Sequence, residues 1–230
     1  MTPMFVRFNW IRWWVTGGLV GLLLGCSSAP PVPDWQLASA SALQQGVEAY
    51  LSGLDRVANA EFARGQREVR RTADPDAVAR AYLMACAAHV AAAETSDCTQ
   101  VPALADAHAD TQAYARYLKG QATAQDTARL PITQRGVSGV ALAESATALA
   151  AVNESWSRLV AAGVLWQRAE LSAAGVAVVV DTAAAQGWAR ALSQWLVVQR
   201  DMLTKAGDQS GAERVQRRLE LLLNQPVPAS

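Results

Sequence analysis

Trp188, Leu192, Trp195, Leu196, Gln199, Met202 and Leu203 recur at steps of three and four, and Ala212, Val215, Leu219 and Leu222 repeat that spacing after a short turn. Such a period puts the apolar side chains on one stripe of a helix, and a stripe that long is stable in water only against a second one. The chain therefore predicts a helical hairpin over 188–224, turning at "KAGDQSGAERVQ", where Ser210 with Glu213 three residues on has the form of a capping box.

The same grammar recurs upstream. Residues 39–53 and 55–72 read as a helical pair split by Gly53, with Leu54, Ala58, Phe62, Gly65 and Val69 as the stripe of the second. Asp74-Pro75 opens another helix, aspartate as N-cap and proline at the first helical position. It runs to about Ala93 with Val78, Ala81, Tyr82, Ala85 and His89 along one side. A further helix is predicted from Pro102 to Leu118, with Leu104, His108, Thr111, Ala115 and Leu118 inward, and others over 140–151 and 154–170. Residues 120–139 mix breakers with polar residues and predict a connection containing one helical turn, the best place for a sub-domain boundary. The valine run of 175–187 could be a strand, but a single strand has no partner here. Ser172 as N-cap and Gly187 as terminator favour a buried helix.

Abundant alanine and scarce β-branched alternation agree with helix. The expected fold is all-α: helical hairpins in an α-solenoid or an irregular α-bundle. The hairpins at 39–72 and 188–224 resemble tetratricopeptide units, whose period is about 34 residues. Ala58-x-x-x-Phe62 fits the second-helix pattern; Tyr50 stands one residue out of phase, no tryptophan precedes it, and Pro75 comes late.

The N-terminus has another character. Residues 1–25 hold no acidic residue and only Arg7 and Arg12 as charges, followed by an apolar run from Trp13 to Leu24. That run is too short for a spanning helix, which needs about 20 apolar residues, and matches a secretory signal. Leu23-Leu24-Gly25-Cys26 resembles the lipobox of bacterial lipoprotein precursors. The resemblance implies cleavage before Cys26, a diacylglycerol on its thiol and an acylated amino group, so that the partner of this end is a lipid bilayer. Ser27 in place of aspartate points, by the same resemblance, to the periplasmic face of the outer membrane rather than the inner one. The chain as a whole is similar to uncharacterised proteobacterial envelope lipoproteins. The expected organisation is a signal peptide over 1–25, a lipidated cysteine and proline-rich tether over 26–34, a helical domain over 35–224 and a disordered tail over 225–230.

With Cys26 lipidated, Cys86 and Cys98 remain as an even pair in an oxidising compartment, where a disulfide is expected. The alternatives are free thiols, or a metal site formed with His89 and His108, although C-x2-H-x8-C-x9-H follows no known zinc template.

Removing Arg7 and Arg12 leaves 18 basic against 20 acidic residues. That balance excludes the strong basic excess of a nucleic-acid binder. Arg64, Arg67 and Arg71, with Arg70 and Arg56 nearby, form a basic patch that could meet lipid headgroups or be a solvated face diluted by Glu61 and Glu68. Trp156, Trp188 and Trp195 lie on apolar stripes; Trp166, flanked by Gln167 and Arg168, is the tryptophan expected to face a partner. Gly136-Val137-Ser138-Gly139 lacks the spacing of a nucleophile elbow, and no catalytic residue, cofactor or metal is assigned. The sequence thus leads to a lipid-anchored periplasmic adaptor that binds another envelope protein. A cell-wall- or lipid-acting enzyme or accessory factor, and a purely structural lipoprotein, are the alternatives.

Overall fold

A computed structural model of the chain describes residues 32–94, 98 and 100–223. The expected signal peptide, Cys26, most of the expected tether and the expected tail lie outside the described residues. Within them are ten α-helices, three single-turn 3-10 helices and no strand. The fold is all-α.

The first hairpin is α1 (Asp34–Leu51) and α2 (Asp55–Arg70). Its helices close on each other because two glycines lie at the seam. A Cβ on Gly46 would stand 2.7 Å from the Phe62 ring, and one on Gly65 2.7 Å from Leu43 Cγ. Each large side chain thus sits over the glycine of the opposite helix. Next, α3 (Pro75–Ala91) begins as the sequence predicts, the Asp74 side chain accepting from the Asp76 N–H. It packs against α1, α2, α4 and α7, so it is buried nearly all round and built of alanines with Leu83 and Val90 between them.

The helix expected from Pro102 is shorter. Ala103 takes a left-handed conformation, a single 3-10 turn covers Leu104–Asp106, and α4 runs from Ala109 to Leu118. His108 is its N-cap and is 80% exposed, not part of an inner stripe. The 120–139 connection contains the expected turn, α5 (Ile132–Arg135), after a 3-10 turn at Thr127–Arg129. It does not separate two cores. Leu130, Gln134 and Val137 are buried, and the Gln134 amide accepts from the Tyr117 hydroxyl at 2.7 Å and donates to the Ser157 carbonyl at 3.0 Å. The described residues form a single compact unit.

After a 3-10 turn at Leu142–Glu144, α6 (Ser145–Ala150) leads to α7 (Ser155–Gln167), which crosses α3 closely. A Cβ on Gly163 would lie 1.9 Å from the Val90 carbonyl oxygen, so only glycine permits this crossing. The valine run is helix α8 (Ala173–Gln186), capped by Ser172 on the Gly175 N–H and ended by Gly187 at φ +70°. Finally α9 (Ala189–Lys205) and α10 (Gln209–Leu223) form the C-terminal hairpin. Its cap is Asp208, which takes the Gly211 N–H at 2.8 Å, rather than Ser210, because the helix already starts at Gln209.

The first and last hairpins meet. Besides α10, α9 packs on α8 and α1, the Trp188 indole N–H donates to Glu48 at 2.8 Å, and Arg190 pairs with Asp55. An open solenoid keeps each repeat to its neighbours. Contact between α1 and α9 makes this an irregular bundle.

Candidate functional site

Where the hairpins meet, the helices leave a groove of about 620 Å³. Its walls are Leu43 and Val47 on α1, Met84 on α3, Trp156 in the first turn of α7 and Trp188 at the entry to α9. A smaller hollow of about 250 Å³ between α1 and α3 shares Ala40, Leu43 and Met84 with it and extends as far as Trp35. The volume suits a ligand or a peptide segment, and mostly apolar walls with a few polar groups are typical of such sites.

The charged groups on the groove are Glu48 and Glu154, both acidic. Glu48 is held by the Trp188 indole at 2.8 Å. Glu154 is the N-cap of α7, one oxygen taking the Trp156 N–H at 3.0 Å and the other the Ser157 N–H at 2.6 Å. Both carboxylates are thereby fixed beside aromatic walls. The arrangement suits an apolar segment that also carries a basic group.

Cys86 and Cys98 are joined as a disulfide, with their Cα atoms 5.6 Å apart. The two histidines do not join them. His89 Nδ1 lies 2.6 Å from the Tyr50 hydroxyl and 3.2 Å from Glu94 Oε2. The His108 N–H donates to Asp76 at 2.9 Å, at the opposite end of α3. Asp76 and His89 are thirteen helical positions apart, which puts these sites about 20 Å apart along the axis. No group of three or more metal-ligating side chains assembles among the described residues.

The Tyr50–His89–Glu94 cluster ties the end of α3 to α1. Arg190 of α9 stacks its guanidinium over the Tyr50 ring at 4.3 Å. Burial, and then the hydrogen bond to Glu94, push the Tyr50 hydroxyl well above its usual range. It is a neutral donor in this network, as a structural tie requires.

Two arginines of the basic patch, half-buried Arg64 on α2 and exposed Arg71 just past its end, are paired with glutamates of α2. Arg64 bonds Glu61 at 2.8 Å through Nε, and Arg71 bonds Glu68 at 2.8 Å, each one turn along the helix. Arg67 is exposed. Trp166 is half-buried and packs against the core. The concavity is lined instead by Trp156 and Trp188, which the sequence assigned to core stripes. A tryptophan at a helix entry can fill the core with one edge and line a groove with the other, and stripe membership alone does not separate the two.

Comparison of the chain with models of known families, with curated proteins and with solved structures finds no match.

Proposed function

We propose that this chain is a lipid-anchored helical adaptor of the bacterial envelope, acylated at Cys26 and held at the periplasmic face of the outer membrane. In this reading it binds another envelope protein through the groove between α1, α3, α7 and the start of α9. The binding half rests on one observation: a groove of about 620 Å³ has aromatic walls, and its charged groups are the carboxylates of Glu48 and Glu154. A partner segment with apolar side chains and a lysine or arginine fits it. The anchoring half rests on Leu23-Leu24-Gly25-Cys26 and Ser27. A disulfide between Cys86 and Cys98 is in keeping with an oxidising compartment. Two or more acyl chains hold a protein to a bilayer firmly, where one gives only marginal binding.

The binding half is tested by placing a photo-crosslinking residue at Gln44 or Gln186, both of which line the groove, in the full chain in cells. The same envelope protein is expected at both positions. Capture should disappear with Ala40→Trp, which fills the groove from an exposed position. No capture, or capture indifferent to Ala40→Trp, overturns the reading. The anchor is tested by mass spectrometry of the native N-terminus, where an unmodified Cys26 or retained residues 1–25 would exclude it.

A further inference from the structure

On the side of α3 where His108 meets Asp76, a second cleft of about 370 Å³ opens between α3, α4 and the 120–139 connection. Three arginines from three separate segments line it: Arg80 of α3, Arg129 of the 3-10 turn and Arg135 at the end of α5. Each is oriented through one nitrogen. Arg80 Nε meets Asp76 at 3.1 Å, Arg129 Nη1 meets Asp110 at 3.1 Å, and Arg135 Nε donates to the Leu130 carbonyl at 2.8 Å. A guanidinium has five N–H donors, so most of the donors in this cleft remain for something else.

The N-terminus of α4 adds to them. The N-cap residue of this ten-residue helix, His108, makes no side-chain cap bond, and the first backbone bond runs from the Gln112 N–H to the His108 carbonyl. The amides of Ala109, Asp110 and Thr111 precede that ladder at the positive end of the helix dipole. Against these donors stand two carboxylates. Asp76 is buried, already accepts from the His108 N–H and the Thr111 hydroxyl, and forms an ion pair with Arg80. Asp110 is 70% exposed and meets only Arg129 among the described residues. Its side chain can swing aside.

We infer that this cleft is a binding site for a phosphate group, gripped by Arg80, Arg129 and Arg135 with the α4 N-terminus behind them. Phosphate rather than carboxylate follows from the donor set. Guanidinium groups arriving from three segments, together with helix amides, match a tetrahedral dianion with several free oxygens, whereas a carboxylate is satisfied by one bidentate arginine. A phosphorylated small molecule and a lipid headgroup share this chemistry. The inference does not depend on what occupies the apolar groove.

The test is titration of the full chain in non-ionic detergent with inorganic phosphate, with dihexanoylphosphatidic acid and with acetate, followed through the amide resonances of Asp110 and Thr111 and the Arg135 Nε–H. Saturable shifts are expected with phosphate probes and not with acetate. Response to both phosphate probes assigns the phosphate group alone as the ligand; response only to the lipid analogue assigns a headgroup. Arg129→Gln and Arg135→Gln should each weaken binding about tenfold, the value of one charge-assisted hydrogen bond. Asp110→Asn, which removes the competing carboxylate, should tighten binding, a gain that misfolding cannot mimic. Absence of saturable shifts, acetate binding as tight as phosphate, or indifference to all three substitutions in folded variants overturns the assignment.

Discussion

The indole N–H of Trp195 donates to the main-chain carbonyl of Ala91 at 2.8 Å, joining α9 to the end of α3 across 104 positions of sequence. Ala91 is the last residue of α3, so its carbonyl is one of the four that a helix cannot satisfy internally. Trp195 is fully buried, and no solvent reaches this carbonyl in its place. Trp195→Phe should therefore cost about 2–3 kcal/mol, from an orphaned buried acceptor and a partly emptied site. Urea unfolding reads the loss, and amide exchange should show the last turn of α3 opening first. A loss under 0.5 kcal/mol would mean that the carbonyl finds another donor.

Most helices here end in one way. The residue after the last turn is left-handed, and the next N–H reaches back five residues to a carbonyl: Leu54 to Ala49, Gln121 to Arg116, Trp188 to Ala183 and Asp208 to Leu203. In these four the left-handed residue is glycine, namely Gly53, Gly120, Gly187 and Gly207. At the end of α7 the same bond runs from Glu170 to Leu165, but the left-handed residue is Ala169, at φ +56°. A Cβ is disfavoured there and Ala169 is exposed, so Ala169→Gly should stabilise by about 0.5–1 kcal/mol. Thermal unfolding would show a higher midpoint. Destabilisation would mean that the Ala169 methyl makes contacts that outweigh its strain.

That difference marks what the sequence could disclose. Helix ends carried by glycine, and starts carried by Asp74-Pro75 or Ser172, are local chemistry and were legible; an alanine in a glycine's conformation is not. His108 fits a helical spacing with Thr111 and Ala115, yet it caps α4, because nothing local reveals the left-handed turn at Ala103. The groove was least legible. Leu43, Met84, Trp156 and Trp188 come from four distant segments, and each alone has the signature of an ordinary core residue.

The Cys86–Cys98 link closes a short loop, with the cysteines 12 positions apart. In the chain-entropy view a loop of this size stabilises by about 3 kcal/mol, chiefly by restricting the unfolded chain. Cys86→Ser with Cys98→Ser, or full reduction of the native protein, should lower the urea midpoint accordingly while the helical circular dichroism at zero denaturant stays near native. An unchanged midpoint after a thiol assay confirms reduction would show that the link carries no stability.

Asp126 gives the clearest pH signature. Its carboxylate takes Arg116 Nε at 3.1 Å and Nη2 at 2.5 Å, then the Thr123 N–H at 2.9 Å and the Thr123 hydroxyl at 3.0 Å. The Arg116 bonds first, and the Thr123 N–H next, hold it well below the usual carboxylate range in the folded chain. In the unfolded chain the group returns to about 3.9. Because the folded value is the lower one, the unfolded state binds the proton first, and acid favours unfolding. The stability from this site is thus complete above about pH 5 and declines as pH falls through 3.9 toward the depressed native value. Asp126→Asn should be destabilising at neutral pH, with the gap to the native protein narrowing steadily below about pH 4. Carboxyl carbon NMR tests the cause directly: Asp126 should still be ionised at a pH where exposed aspartates are half protonated. A titration midpoint near 3.9 would reduce the Arg116 pair to an ordinary surface contact that does not secure the start of the 120–139 connection.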